Sequence, residues 1–187
     1  MHQVLSYDDL RGIADKFLSE QWSSGRVPID IEEIIDVNLG IDIQVMVALK
    51  SVCSVDAFLG RKLDTIYIDA EVYGARGNRC RFSLAHELSH LILHKDIISK
   101  LEFNPLKEWK KAIDGIPEES YRWIEWQAYA LAGLLLVPPA ALAKAVGELP
   151  DLTDQASRHF AIADLAKSFA VSVEVAEKRL KYDNLLQ

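Results

Sequence analysis

The pentapeptide His86-Glu87-Leu88-Ser89-His90 is the part of this chain whose residue types and spacing could do chemistry. Two histidines at this spacing lie on one face of a helix, one turn apart, so their imidazoles can bind one divalent ion. Glu87 follows the first histidine, where its carboxylate can reach a water bound to that ion. The pattern therefore predicts a site for metal-assisted hydrolysis.

The residues around this motif argue against the alternative, which is two surface histidines on an amphipathic helix. Between Phe82 and Leu93, Glu87 is the one acidic residue, and most of the others are apolar. A helix of this composition is buried nearly all round. Buried imidazoles need polar partners, and a metal ion would satisfy both of them.

A zinc hydrolase also needs a third protein ligand and one open position. His94 is the nearest choice, but it would lie about 12 Å from His86 along a straight helix, too far for a shared ion. No glycine or proline lies between His90 and His94, so no kink is predicted there. We expect His94 to be a core residue or to contact a ligand rather than to bind metal.

Glu125 is the preferred third ligand. It lies in an apolar helical run that ends at Pro138-Pro139, and a carboxylate there is costly unless it is paired or bound to metal. A second helix packed on the first could deliver it to the ion. A carboxylate at the rim of a cleft, or a salt bridge to Arg122 or to an arginine further upstream, is the alternative.

Two longer strings resemble the motifs of a known family. RFSLAHELSHLILH (81–94) resembles the signature of the ImmA/IrrE metallopeptidases, and EWQAYALAGLLLVP (125–138) resembles their second motif. Residues 8–45 fit the N-terminal pattern of that family, and LAKSFAVSVEVAEKRL (165–180) resembles its closing helical module. The resemblance implies zinc ligands at His86, His90 and Glu125, with Glu87 catalytic.

One departure from the family pattern concerns Tyr129, where the family usually has asparagine. Tyr129 is one turn after Glu125 and should face the same side. It could hydrogen-bond a ligand histidine, stabilise an oxyanion or pack as a core residue. As an oxyanion donor it is the first choice, ahead of Arg79, Arg81 and Tyr121.

The expected cofactor is one Zn²⁺ ion, with Mn²⁺ or Fe²⁺ as possible substitutes. Glu87 would take a proton from the metal-bound water and pass it to the leaving amine. The resemblance implies a metallo-endopeptidase that cleaves a partner DNA-binding repressor and relieves repression, in a stress response or in a mobile element.

Two other functions compete with this hypothesis. The first is a catalytically silent metal-binding regulatory or toxin–antitoxin-type protein, although a structural zinc usually has Cys or His as its fourth ligand and Glu87 is intact. The second is a transcription factor that acts through its C-terminal helices. Val173, Glu174 and Val175 stand where a DNA-reading helix needs basic residues.

The composition narrows the class of protein further. A net charge of −7 and a pI near 5.2 argue against direct nucleic-acid binding, but they would steer the chain towards a basic protein partner. Cys53 and Cys80 have no CxxC spacing, and we expect both to be reduced, with a metal contact by Cys80 disfavoured. No apolar span of 18 residues and no basic start followed by an apolar stretch is present, so no membrane association and a cytoplasmic location are expected.

The predicted fold is α+β. It is a mainly helical zincin-like domain at 1–150, with a small three-stranded antiparallel sheet packed on the HExxH helix. A helix-turn-helix-like cap at 151–187 should pack on it as one globule. Helices are predicted at 6–21, 30–38, 81–95, 119–137, 140–146, 155–170 and 172–184, and strands at 41–47, 52–59 and 65–69. Residues 74–78 are predicted as a loop, and 98–118 as a connecting loop or a lid.

Overall fold

A computed structural model describes residues 4–100, 115, 117–149 and 155–185 of the chain. In the described residues it has an α+β fold that is mostly helical, as predicted. The helices are α1 Tyr7–Gln21, α2 Ile31–Glu33 with a π-helical continuation Ile34–Asn38, α3 Leu49–Cys53, α4 Ala70–Ala75, α5 Asn78–Ile98, α6 Glu118–Leu136, α7 Pro139–Gly147, α8 Gln155–Ser168 and α9 Val173–Tyr182. The strands are β1 Asp42–Met46, β2 Ala57–Leu59 and β3 Thr65–Asp69.

The first two helices begin at side-chain caps. The Ser6 side chain accepts a hydrogen bond from the Asp9 backbone, and the Asp9 carboxylate accepts one from the Ser6 backbone, which together form a capping box. Asp30 caps α2 through the backbone N–H of Glu33. Gly40, which follows the π-helical continuation, has a φ of +63°, a conformation that glycine adopts without strain.

The sheet is mixed, so the prediction of an antiparallel sheet was wrong in part. The strand order is β1-β3-β2, with β2 antiparallel and β1 parallel to β3. The parallel register pairs Asp42 with Thr65 and Met46 with Asp69. After β1 the chain passes through α3 and β2 before it returns as β3, and this longer connection lets β3 run in the same direction as β1.

The predicted strand at 52–59 is too long, because its first residues belong to a helix. Leu49 and Cys53 of α3 are one turn apart, and both are buried against Phe58 in a small cluster on the outer face of the sheet. Val52 points away from this cluster and is exposed. Apolar residues at helical spacing thus override the β propensity of Val52.

The other face of the sheet packs on the helix that carries the HELSH motif. Ile66 and Ile68 of β3 are fully buried, as are Leu84 and Leu88 of α5, and all four belong to the main core. Helix α6 packs against α5 and α1. The loop predicted at 74–78 is shorter than expected, since α4 runs to Ala75 and α5 begins at Asn78.

Partly buried polar contacts join the turn between the C-terminal helices α8 and α9 to α5. Asn78 donates to the carbonyl of Val171 at 2.8 Å, and Arg81 donates to the carbonyl of Ala170 at 3.1 Å. Ser172 caps α9 by accepting from the backbone N–H of Val175. The domain division at residue 150 and the likeness to a helix-turn-helix remain predictions.

No single helix among the described residues is long and apolar enough to cross a membrane. The helix pair α6 and α7 passes the same test by length and composition when taken together, but it is bent by 54° at the break between them. The predicted lid or loop at 98–118 lies for the most part outside the described residues.

Candidate metal centre

The two histidines of the HELSH motif share one face of α5. Their Nε2 atoms lie 3.1 Å apart, and their rings meet nearly edge to face. His90 is buried, and only 13% of the His86 side chain is exposed. Helical spacing alone brings the two donors together, because residues four apart occupy adjacent turns of one face.

Glu125 reaches the same point from α6. One carboxylate oxygen lies 3.4 Å from His86 Nε2, and the other lies 3.4 Å from His90 Nε2. Within the described part of the chain, these three residues form a group that could hold a metal ion. Arg122, the predicted alternative partner of Glu125, lies on an exposed position of the same helix.

The spacing of the three side chains fits a zinc ion. Bonds of about 2.0–2.1 Å in a tetrahedral site place ligand atoms about 3.3 Å apart. The observed separations of 3.1 and 3.4 Å agree with that value. Two imidazoles and one carboxylate are also a common donor set for a catalytic zinc with a fourth position for water.

Electrostatic interactions among the three side chains shift the pKa values of Glu125 and His86. Burial alone would raise the pKa of Glu125, but contacts with His86 and His90 outweigh it and hold that pKa well below its usual range. Burial alone would lower the pKa of His86, yet Glu125 and the charge of Glu87 raise it above its usual value. The carboxylate is therefore ionised and ready to bind a cation.

Glu87 lies next to this group but is not part of it. Its side chain is buried and lines the same cleft as His86 and His90. Its Oε2 accepts a hydrogen bond of 2.8 Å from the backbone N–H of Leu59 in β2. The sequence predicted the place of Glu87 but not this contact, because a backbone donor leaves no residue-type signal.

Tyr129 covers one side of His86. The two ring centroids are 4.5 Å apart, and the Tyr129 ring also stacks on Phe82 at 5.6 Å. About half of Tyr129 is exposed, and it lines the cleft. Partial burial and the nearby carboxylates of Glu125, Asp56 and Glu87 raise the pKa of Tyr129, so its hydroxyl stays protonated at neutral pH.

The other predicted oxyanion donors are held in different ways. Arg79 lines the cleft but pairs with Asp56, with one guanidinium contact at 2.7 Å. Arg81 donates to the carbonyls of Ala170 and Ile29, so it links chain segments away from the histidines. Tyr121 is partly buried and lines the cleft. Cys80 is buried and outside the group, and burial raises its pKa.

His94 is buried behind the group rather than in it. Its Nδ1 lies 3.1 Å from His90 Nδ1, and its Nε2 lies 3.2 Å from Gln127 Oε1. The prediction of a straight helix here was wrong, because α5 has non-helical dihedrals at His94 (φ −125°, ψ 16°). Gln127 was missed, although a polar residue in an apolar helical run was a visible signal.

A cleft of about 1040 Å³ surrounds these side chains. The residues that line it come from the segment Ser54–Leu59, which includes β2, and from α5 and α6. Helix α9 contributes Glu174, Lys178 and Tyr182 to the lining. The cleft is therefore large enough for several residues of an extended peptide.

Comparisons with known proteins agree with this fold. The chain is similar in structure to a "Mycobacterium tuberculosis transcriptional regulator", with a TM-score of 0.60 and 18% sequence identity. The alignment covers 93% of this chain and 46% of that regulator, so this chain spans less than half of its length. At this identity the likeness shows a shared fold. No curated protein matches the sequence.

A comparison with protein-family models identifies the family as well as the fold. The model of the IrrE N-terminal-like domain, peptidase family M78, matches residues 65–181. This span includes α5 and α6, with His86, Glu87, His90 and Glu125, and it extends through most of α9. It covers more than half of the chain, and the resemblance to the ImmA/IrrE metallopeptidases is thereby confirmed. This protein belongs to the IrrE N-terminal-like family of M78 metallopeptidases.

Proposed function

We propose that this protein is a zinc-dependent endopeptidase that uses Glu87 as its general base. The observation that carries the proposal is the convergence of His86, His90 and Glu125 within 4.8 Å of one another, beside the buried Glu87. Membership of a metallopeptidase family supports the same reaction class. In this proposal His86, His90 and Glu125 hold the zinc ion.

The zinc ion would supply Lewis acidity, lowering the pKa of a water molecule to about 7 and polarising the carbonyl of the scissile bond. The protein supplies the ligands, the base and a cleft that orients the peptide. Manganese or iron could replace zinc in this donor set. Two imidazoles and one carboxylate favour a divalent transition metal, and zinc is the one that we propose.

Glu87 would move the proton in both halves of the reaction. As the water oxygen bonds to the carbonyl carbon, one carboxylate oxygen of Glu87 takes the water proton. When the carbon–nitrogen bond breaks, Glu87 returns that proton to the leaving amine. The hydrogen bond from Leu59 N–H to Oε2, at 2.8 Å, limits rotation of the carboxylate and favours one oxygen for proton transfer.

Tyr129 would stabilise the negative charge that develops on the carbonyl oxygen. Its ring is 4.5 Å from that of His86, it lines the cleft, and its raised pKa keeps the hydroxyl a donor. A preorganised donor of this kind acts mainly in the transition state. Arg79 is a weaker choice, because its guanidinium is already paired with Asp56.

The substrate would lie in extended form along β2, which is an edge strand of the sheet. The carbonyl of Asp56 and the N–H of Gly60 are used by β3, at 2.8 and 2.9 Å. Alternation along the strand turns the backbone groups of Ala57 and Leu59 to the free edge. Since the Leu59 N–H is taken by Glu87, Ala57 is the residue best placed to pair with a peptide.

The substrate class we propose is a DNA-binding repressor, whose cleavage would relieve repression. A net charge of −7 favours association with a basic protein over direct contact with nucleic acid. The structural neighbour from Mycobacterium tuberculosis is a transcriptional regulator, which is compatible with a role in transcription control. The family resemblance implies the same kind of partner.

Incubation of the zinc-loaded protein with purified candidate repressors, with and without a chelator, tests this proposal. Mass spectrometry of the products should show one or a few cleavage sites that vanish with the chelator and with Glu87→Gln. Binding of zinc and repressor without any cleavage by the wild type would favour the silent regulatory function instead. Tight specific DNA binding at moderate salt would favour the transcription-factor alternative.

A further inference from the structure

His94, the histidine outside the metal group, lies directly behind one of the ligands. We propose that His94 and Gln127 are positioning residues, which hold His90 in one ring orientation and one tautomer and thereby set the metal affinity. The inference rests on the metal site of the proposed function. His94 and Gln127 are buried and polar, and the proposed reaction does not use either side chain directly.

The two ring nitrogens of His90 have contacts on opposite sides of the ring. Its Nε2 faces Glu125 at 3.4 Å and His86 at 3.1 Å, which is the metal side. Its Nδ1 faces His94 Nδ1 at 3.1 Å, on the core side. The relay continues from His94 Nε2 to Gln127 Oε1 at 3.2 Å, and so ends on the helix that carries Glu125.

All three members of this relay are removed from water. His90 is 7% exposed, and His94 and Gln127 are each 4% exposed. Buried polar groups without partners are costly, so each nitrogen and oxygen in the relay is held to its neighbour. A buried relay of this kind is stiff, because no water can replace a broken contact.

The relay allows one proton pattern that suits metal binding. A ligand Nε2 must offer its lone pair, so the His90 proton is on Nδ1 and is donated to His94 Nδ1. The His94 proton is then on Nε2, where it is donated to the Gln127 oxygen. In the reverse pattern His90 carries its proton on Nε2, on the metal side, and His94 carries its proton on Nδ1. His94 Nε2 would then be an acceptor that faces a second acceptor, Gln127 Oε1.

The other ligand histidine is held differently. Among the described residues, His86 Nδ1 is buried and has no hydrogen-bond partner. Its ring rests instead on Tyr129, at 4.5 Å between centroids. The relay therefore belongs to His90 alone, and its loss should change the metal affinity through that one ligand.

Zinc affinity, measured by competition with a chromophoric chelator, tests the relay without reference to turnover. His94→Ala and Gln127→Leu should each lower the affinity about 10- to 100-fold, as is usual when the partner of a ligand histidine is removed. The double variant should bind zinc no more weakly than His94→Ala, because Gln127 acts through His94. Gln127→Glu keeps the acceptor and should bind nearly as tightly as the wild type.

Ser89→Ala is the matched control. Ser89 is a fully buried polar residue of the same helix, and its hydroxyl bonds to the carbonyl of Ala85 at 2.7 Å. Its removal should leave zinc affinity unchanged. Nitrogen NMR of the imidazoles in the zinc-loaded wild type should show His90 protonated at Nδ1 and His94 at Nε2, a readout that a purely structural role would not fix.

The zinc affinities of these variants distinguish a failure of the relay from a failure of the metal site. Wild-type affinity in His94→Ala, additive losses in the double variant, or a loss in Gln127→Glu equal to that in Gln127→Leu would overturn the relay while the metal site stands. Failure of the wild type to bind zinc would overturn the proposed function, and the relay with it. Reduced affinity in the two single variants with rescue by Gln127→Glu supports both.

Discussion

The carboxylate of Glu87 accepts a hydrogen bond of 2.8 Å from the backbone N–H of Leu59. This contact joins the proposed general base to the edge strand on which a peptide substrate would lie. The donor is a backbone group, so side-chain substitutions at Leu59 preserve it. The position of Glu87 therefore depends on the pairing of β2 with β3, which fixes where the Leu59 backbone lies.

Replacement of the proposed base separates metal binding from catalysis. Glu87→Gln should retain one zinc ion, since its ligands are unchanged, and should lose cleavage by about 100-fold or more. The glutamine can still accept a hydrogen bond from Leu59, so the local fold is kept. Metal analysis and a repressor-cleavage assay on the same sample check this, and wild-type turnover would remove Glu87 from the mechanism.

Removal of the third ligand should weaken the site itself. Glu125→Ala leaves two imidazoles and should lower zinc affinity on the order of 100-fold or more. Glu119→Ala is the matched control, because Glu119 is an exposed acid near the start of the same helix. If equilibrium dialysis finds equal zinc retention in both variants, the third ligand is another residue.

Two substitutions at Tyr129 distinguish an oxyanion donor from a packing residue. Tyr129→Phe keeps the ring on His86 and removes the hydroxyl, so zinc affinity should hold while kcat falls about 100-fold. Tyr129→Ala should lose both turnover and some affinity. Full kcat in the phenylalanine variant would assign Tyr129 to packing alone.

Zinc binding near neutral pH should release a proton from His86. Burial lowers the pKa of His86, but Glu125 and the charge of Glu87 raise it above its usual value, so the imidazole keeps its proton to a higher pH than a free imidazole does. Glu125, with its lowered pKa, is already ionised and releases none. Affinity should therefore fall as pH drops through the raised pKa of His86.

Calorimetry in two buffers of different ionisation enthalpy measures this proton release. The apparent binding enthalpy should differ between buffers near neutral pH and converge well above the raised pKa, where the imidazole is already neutral. Identical enthalpies in both buffers near neutral pH would show that His86 is unprotonated before zinc binds.

Two adjacent cations on α9 should differ in their contribution to stability. Arg179 and Asp183 form a buried pair at 2.8 Å, with 3% and 6% of their side chains exposed, and Arg179 also donates to the carbonyl of Val137. Arg179→Ala should lower the free energy of unfolding by about 3 kcal/mol, because Asp183 stays buried and loses the positive charge of Arg179.

Lys178→Ala is the control for that substitution. Lys178 pairs with Glu174 at 2.8 Å at the same helical spacing, but both side chains are exposed and water screens the pair. Its removal should leave the urea midpoint nearly unchanged. Equal midpoints for the two variants would show that the buried pair does not stabilise the fold.

The sequence by itself determined the features that depend on neighbouring residues. The spacing of His86 and His90, the caps at Ser6, Asp30 and Ser172, and the strand Thr65–Asp69 follow from local hydrogen bonding and side-chain periodicity. Glu125 was identifiable because a carboxylate in an apolar helix needs a partner.

Only the tertiary structure decided how distant segments meet. The direction of β1 and the contact between Glu87 and Leu59 depend on packing between segments that are far apart in the chain, and the helix Leu49–Cys53 depends on its packing against Phe58. The relay from His90 through His94 to Gln127 joins residues on two helices, at a point where α5 departs from regular geometry. Periodicity sets which face of a helix is buried, but not which residue of another helix lies against it.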